Sequence, residues 1–492
     1  MKRNKIFIYI ACSALILSSG CKKFLEHQPD DRSELDDPVK VAELLANAYP
    51  HGNYITMAES MSDNAGDKGT TRRSLPNSLA WNYEDQVDAT SGDTPPFYWN
   101  SCYKAIAAAN YALEAIDKAG NTSQYAASRG EALVARAYAH FMLVTFFAKA
   151  YDPATAASDP GVTYVTLPQK VVEGDYNRGT VASVYDNIKK DLEEGLPLIN
   201  NNSYRVPKYH FTTQAAHAFA TRFYLFKRDY QKVIDHANAL FPGDTVSDQL
   251  RPWNTNYYKL GYYELQAIYT NSTEPANLLL QEAESVWGRS YGGYNYGLSS
   301  AVRATVFNAA NNPTGKALAM STQVYGGTEI VYNIPKFREH FVKQSISANF
   351  GDAYNMVPLL TSEEVLFNRA EANAMLNTTD SRAKTIADLD IYLSKRIVGY
   401  SATSDKFTES KATDFFSTLT VKDALVATIL NFKRQEYMHE GLRWLDIVRL
   451  KIPIEHNSLD GKIKISLGAN DLRRVVQIPQ DAVAAGLAAN PR

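Results

Sequence analysis

Residues 437–446, YMHEGLRWLD, bring His439, Glu440, Arg443 and Asp446 together a few positions after Glu436. Such groups could bind zinc, act as a pair of catalytic carboxylates, or simply neutralise one another. A zincin helix needs two His four residues apart with the Glu between them. The fifth position of HEGLR is Arg443, which has no lone pair to give a metal. Glu436 and Glu440 could serve a glycosidase, whose carboxyl groups face each other about 5 to 9.5 Å apart across a sugar bond. The run VKDALVATILNFKRQEYMHEGLRWLDIVRL reads as one helix, however, and two carboxylates on one continuous face seldom flank a cleft. Glu440 with Arg443, and Asp446 with Arg449, are opposite charges spaced i, i+3, which pairs side chains on a helix. Structural pairing is therefore the expectation, with Gly441 permitting a close helix contact or a bend.

Elsewhere there is no Ser-His-Asp order, phosphate-binding glycine loop or Cys/His cluster. SDNAGDKG at 62–69 offers carboxylate and amide oxygens but departs from the calcium loop pattern, so a polar turn is expected there. Neither a metal nor a cofactor is expected. The candidate ligand groups are aromatic. SVWGRSYGGYNYG sets Trp287, Tyr291, Tyr294 and Tyr296 among glycines, and LAWNYED adds Trp81 and Tyr83. A flat ring can stack on the apolar face of a pyranose while a neighbouring Asn, Asp or Arg bonds its hydroxyls. At each ring the alternative is packing inside a loop-rich core, and two or three are expected to touch ligand.

These groups sit in a chain addressed for export. Lys2, Arg3 and Lys5 precede an apolar core from Ile6 to Leu17, and small residues lead to Cys21. The core is too short for a membrane-spanning helix of about 20 residues and reads as a cleaved signal over 1–20. The segment resembles the lipobox of bacterial lipoproteins, which implies lipidation of Cys21, although Ser18 stands where Leu is usual. Of three cysteines only Cys102 then remains free, so the fold must be held by its core rather than by disulfides. With 51 basic and 53 acidic residues the net charge is −2, in no long single-sign block, which argues against nucleic acid as partner.

Helical periodicity starts at PVKVAELLANAY and continues through YWNSCYKAIAAANYALEAIDKA, RGEALVARAYAHFMLVTFFAKAY and TVASVYDNIKKDLEEGLPLI. TTQAAHAFATRFYLFKRDYQKVIDHANAL splits at Lys227-Arg228-Asp229 into two helices that resemble a tetratricopeptide unit, with small alanines facing rings. Residues 241–360 are rich in Tyr, Asn, Gly, Ser and Pro, and NLLLQEA and EIVYNI are expected as short strands. Helices resume at TSEEVLFNRAEANAML, where Thr361 or Ser362 with Glu364 forms a cap. The tail from 451 is expected to be extended and polar. The fold class is thus mainly α, with TPR-like helical pairs as a scaffold and an irregular loop-rich subdomain containing short strands. The expected divisions are a lipidated N-terminus and tether over 21–37 and one domain over 38–492. Within it, 38–240 and 361–450 form the scaffold, 241–360 the ligand-binding subdomain and 451–492 the tail.

Taken in order, several landmarks resemble the SusD/RagB family of Bacteroidetes surface lipoproteins. They are Cys21, Ser62-Asp63-Asn64, the Trp99, Tyr103, Ile106 and Asn110 series, and Arg136-Ala137-Tyr138. Further on come Glu364-Val365-Leu366, Ala370-Glu371-Ala372, Arg396, Ile478-Pro479 and Asn490-Pro491. Arg434, Glu436, Glu440, Gly441, Arg443, Asp446, Ile447 and Arg449 fit a family pattern, from which Phe432 and Lys433 depart. The resemblance implies a non-enzymatic protein on the extracellular face of the outer membrane. Such a protein captures oligosaccharide, or in some members peptide, and passes it to a SusC-like TonB-dependent transporter. It also implies that loops before the Trp99 helix and in the irregular region supply the ligand site. A lipid-anchored glycoside hydrolase is the rival from another class.

Overall fold

The computed structural model describes residues 35–169, 177–326 and 331–492. Cys21, the export signal and most of the tether lie outside them. Helix α1 (Pro38–Leu45) begins where Asp37 Oδ1 accepts from the Val39 and Lys40 amides, with proline in the first turn. Helix α2 (Ile55–Met61) is buried along its whole length. A two-residue strand, β1 (Gly66–Asp67), and α3 (Leu75–Trp81) follow, then the long helices α4 (Pro95–Lys118) and α5 (Ala126–Phe147).

Helix α5 is buried on every side from Gly130 onward, as its nearly all-round apolar sequence requires. Its approach to α6 (Val181–Gly195) depends on two glycines. A Cβ on Gly130 would lie 2.8 Å from the Gly195 carbonyl oxygen, and one on Gly195 2.8 Å from that of Gly130. Helices α7 (Thr213–Lys227) and α8 (Tyr230–Leu240) divide at the expected place. Arg228 turns left-handed with φ 63°, and the Asp229 side chain accepts from the Lys232 amide to start α8.

Between Phe241 and Thr361 short elements alternate with loops: α9 (Tyr262–Tyr269), β2 (Asn277–Glu284), α10 (Trp287–Ser290), β3 (Tyr296–Gly297), α11 (Ser300–Phe307), β4 (Glu339–Lys343) and β5 (Gly351–Thr361). Strands β2, β5 and β4 form an antiparallel sheet in that order, and NLLLQEA is its first strand. EIVYNI does not form a strand in its described part, where Asn333 makes only an isolated bridge to Tyr325. Residues 327–330, which include the start of that run, lie outside the described residues.

Helix α12 (Ser362–Leu376) is capped by Thr361, whose hydroxyl accepts from the Glu364 amide. It pairs with α13 (Thr379–Ser394), and α14 (Glu409–Phe415) leads to α15 (Val421–Glu436) and α16 (Leu442–Arg449). The expected single helix over 421–450 is therefore two. His439 and Gly441 between them both take positive φ, 76° and 74°. The break is enforced from α2. One oxygen of Glu59 accepts from the His439 amide at 2.7 Å, the other from the Gly441 amide at 3.0 Å. A Cβ on Gly441 would also stand 3.0 Å from that of Ala58. Glu440 consequently does not pair with Arg443. It takes Lys336 at 2.6 Å and the Tyr269 hydroxyl at 2.7 Å, while Arg443 forks onto Asp63. Asp446 and Arg449 do pair, at 2.6 Å.

Beyond α16 the tail is not simply extended. It carries a hairpin of β6 (Ile454–Asn457) and β7 (Lys464–Leu467), then α17 (Gln480–Ala484). The alternation Ile454 and His456 inward, Glu455 and Asn457 outward, is the period-2 pattern of a half-buried strand.

Two predictions concern these buried charges. Glu436 neutralises Arg396, so Glu436→Gln should cost about 3–5 kcal/mol in a urea titration. Burial pushes the Glu59 carboxyl up to about 7 from an ordinary 4.5 despite its two amide donors. A raised folded-state value gives stability that is complete below about 4.5 and lost as pH climbs through 7. Denaturant midpoints between pH 5 and 8 should therefore fall further in the parent than in Glu59→Gln. Parallel profiles would rule this out.

Candidate functional site

The loops before α4 and after β2 are stitched together by short-range polar contacts. Strand β1 pairs with β3, Gly66 opposite Gly297 and Asp67 opposite Tyr296. The Lys68 amide donates to Asn295 O at 2.9 Å and its Nζ to Gly292 O at 2.7 Å. Burial, with Arg72 nearby, pushes that ammonium down to about 8. Asn77 clasps the Tyr296 backbone in both directions, donating to its carbonyl at 2.9 Å and accepting from its amide at 3.2 Å. Asp93, just ahead of α4, accepts from Asn53, Thr56 and Ser285 side chains at 2.6–2.8 Å and from the Val286 amide at 3.1 Å. Lys68, Asn77, Asp93, Asn53, Thr56 and Ser285 are buried polar side chains, so their contacts are obligatory.

The six aromatic candidates fall into two groups. Trp81 is fully buried, sandwiched between Tyr296 (centroids 4.0 Å apart, 11° between planes) and His456 (4.9 Å, 8°). Its Nε1 donates to Ala65 O at 2.9 Å. Tyr83 stacks on the other side of His456 at 5.2 Å and donates its hydroxyl to Met61 O. The result is a column, Tyr296–Trp81–His456–Tyr83, built from loops before α4, β3 and the tail hairpin. Trp287 stacks on Tyr291 at 5.3 Å and lies near Tyr294 at 6.0 Å, and the Tyr291 hydroxyl donates to Ile334 O. Trp81, Tyr83, Trp287, Tyr291 and Tyr294 are all buried, so protein atoms cover the faces a sugar would need. Tyr296 alone of the six is partly exposed.

A second set of rings, which the sequence did not single out, lies beside the loop that leads to Tyr296. Tyr262 packs edge-on against Tyr263 at 5.3 Å and against Tyr325 at 5.1 Å. Tyr263 is 80% exposed, and Tyr262 and Tyr325 keep part of their surface in solvent. Asn333 Nδ2 donates to the Tyr262 hydroxyl at 2.9 Å. Two glycines join this cluster to the Tyr296 loop. A Cβ on Gly292 would lie 2.6 Å from Asn333 Nδ2, and one on Gly293 2.9 Å from a terminal nitrogen of Arg72. Accessible tyrosines beside amide and guanidinium donors are suited to hold a polyhydroxylated ligand. The clue in the sequence was Tyr beside Gly in LGYYEL and VYGG, dispersed over sixty residues rather than gathered in one run.

The former acid/base pair does not belong to this face. Glu436 is held by Arg396 at 2.6 and 2.9 Å, Glu440 by Lys336, and both are buried. In the 62–69 turn, Asp63 is engaged by Arg443 and Arg434, which hold its carboxyl at about 2.

Residues 23–225 match the SusD-like family model described as starch-binding and associating with the outer membrane. No curated protein matches the sequence. Among solved structures the fold is similar to a SusD superfamily protein from Bacteroides thetaiotaomicron, at 19% identity and a TM-score of 0.68 over 94% of this chain and 100% of that one. It is also similar to a SusD-like carbohydrate binding protein from Bacteroides vulgatus, at 16% identity, a TM-score of 0.62 and coverages of 92% and 97%. A laminarin binding SusD-like protein shares it at 17% identity and a TM-score of 0.59, with coverages of 92% and 98%.

The buried centre and the half-exposed end of the column separate in stability measurements. Trp81→Ala removes the centre of the column and should cost about 3–5 kcal/mol. Tyr296→Ala, at its half-exposed end, should cost clearly less and leave the thermal midpoint nearer the parent's.

Proposed function

We propose that this chain is a SusD/RagB-type surface glycan-binding lipoprotein without catalysis, on the strength of the SusD-like family model matched over residues 23–225 and the shared fold. It takes up an oligosaccharide on the tyrosine face formed by the loop before α4 and the loop-rich 241–360 region. It then delivers that ligand to a SusC-like TonB-dependent transporter, anchored on the outer membrane's extracellular face by lipid on Cys21. The observation that carries this reading is that Gly292 and Gly293, in the loop leading to Tyr296, pack on Asn333 and Arg72, and Asn333 bonds Tyr262 in the partly exposed cluster with Tyr263 and Tyr325. Trp81, Tyr83, Trp287, Tyr291 and Tyr294 support the face from behind. A binding role also accords with the carboxylates of Glu436 and Glu440, which are enclosed and neutralised rather than poised across a cleft. No helix among the described residues is long and apolar enough to cross a membrane, which is compatible with attachment through lipid.

Calorimetry with starch- and laminarin-derived oligosaccharides, and with mixed peptides as the alternative ligand class, tests this. Tyr296→Ala and Tyr262→Ala should each weaken glycan binding by about 0.5–1.5 kcal/mol, up to roughly tenfold. Saturable peptide binding in place of glycan would select the other branch of the family. Release of new reducing ends, abolished by Glu436→Gln, would replace the binding role with hydrolysis. Cys21→Ser should move the protein out of the membrane fraction.

A further inference from the structure

Well away in sequence from the ligand loops, two imidazoles meet across the α7–α8 pair. His217 on α7 and His236 on α8 hold their Nδ1 atoms 2.9 Å apart, with ring centroids at 5.2 Å and planes at 47°. Both rings are half-buried and so remain within reach of solvent. One Nδ1–H must donate to the other's lone pair, which requires at least one ring to be neutral. Burial pushes both below the ordinary imidazole range, and His217 and Lys232 add to this for His236, which falls to about 4. Both are therefore in the ligating form at neutral pH.

The surroundings fix the pair. Tyr224 stacks parallel to His236 at 5.4 Å and 9°. The charged neighbours of His236 are Asp235 and Glu193, which favour a cation, and Lys232, which opposes one. Lys232 is itself engaged by Glu193 and lies over the Tyr224 ring at 4.8 Å.

We propose that His217 and His236 form a two-nitrogen site for a divalent transition metal of the copper(II) or nickel(II) type, bridging α7 and α8. Nitrogens 2.9 Å apart subtend about 90° at a metal held about 2.0–2.1 Å from each. That is the angle between neighbouring positions of a square-planar or octahedral sphere, narrower than tetrahedral zinc adopts. On binding, the donor imidazole shifts its proton from Nδ1 to Nε2, and the metal exchanges two waters for two neutral nitrogens with no net proton release. Neither Nε2 makes a hydrogen bond among the described residues, so that position is open to the proton. The remaining coordination positions go to water. Among the described residues no group of three or more His, Cys, Asp or Glu side chains is placed to hold a metal, which makes this an exchangeable site rather than a closed structural one.

Titrating the tag-free protein with nickel(II), copper(II) and zinc(II) by calorimetry tests the site. One nickel(II) or copper(II) ion per chain is expected, with the copper(II) electron paramagnetic resonance spectrum showing coupling to two nitrogens. His217→Ala or His236→Ala alone should weaken nickel(II) binding about tenfold or more, because the second ligand of a chelate acts at high effective concentration. His217→Asn separates ligation from packing, since an amide can keep the hydrogen bond to His236 without supplying an imidazole. It should retain the metal-free thermal midpoint and still lose the ion. Absence of saturable binding, a single-nitrogen spectrum, affinity unchanged in either alanine variant, or zinc(II) bound more tightly than nickel(II) would each overturn the proposal.

Discussion

The guanidinium of Arg396 is wholly enclosed, and it reaches two carboxylates at once: Glu363 at 3.1 Å and Glu436 at 2.6 Å. Arg251 completes the set on Glu363 at 2.8 Å, and Lys336 on Glu440 extends it toward the loops. Three cations and three anions balance in the buried interior, where removing any one would leave an uncompensated charge. The scaffold helices α12 and α15 each contribute an anion, while Arg251 and Lys336 come from the irregular segment. The loop-rich region is therefore locked to the helices by paired charge. Apolar packing alone tolerates small slides, but forked contacts such as Arg396 on Glu436 do not.

The same device recurs around it. Arg222 forks onto Glu364, Arg449 onto Glu371, Arg136 onto Asp191, and all are buried. Each joins helices or a helix and a loop that are distant in sequence. Together with Glu59 at the α15–α16 break, they explain why a chain with so many exposed loops presents its tyrosine face on a fixed base.

Much of this architecture could be read in advance because it is local. The α7–α8 division follows from a polar tripeptide, the Thr361 cap from its spacing to Glu364, and the all-round burial of α5 from its apolar run. What escaped depends on partners far along the chain. The helical period through 437–441 is intact, yet Glu59, some 380 positions earlier, claims two amides and turns the backbone. Charge pairing in that stretch was legible; the choice of Asp63 and Lys336 as partners was not, because i, i+3 spacing holds only on an unbroken helix. The rings show the same limit. Composition cannot tell which glycine-flanked ring faces outward, and the run with most aromatics is the one that packs on itself.

The ring column carries a thermodynamic consequence for recognition. Tyr296 is clamped by Trp81 on one face and by Asn77 along its backbone, so its rotamer is settled when the chain folds. A side chain that must be ordered at the moment of association surrenders about 0.5–1.5 kcal/mol of the interaction it makes. Here that ordering is already complete, and the cost sits with His456 and the tail hairpin that close the column. In the proposed binding role, a weak, shallow contact of Tyr296 with a flexible ligand is then nearly all gain.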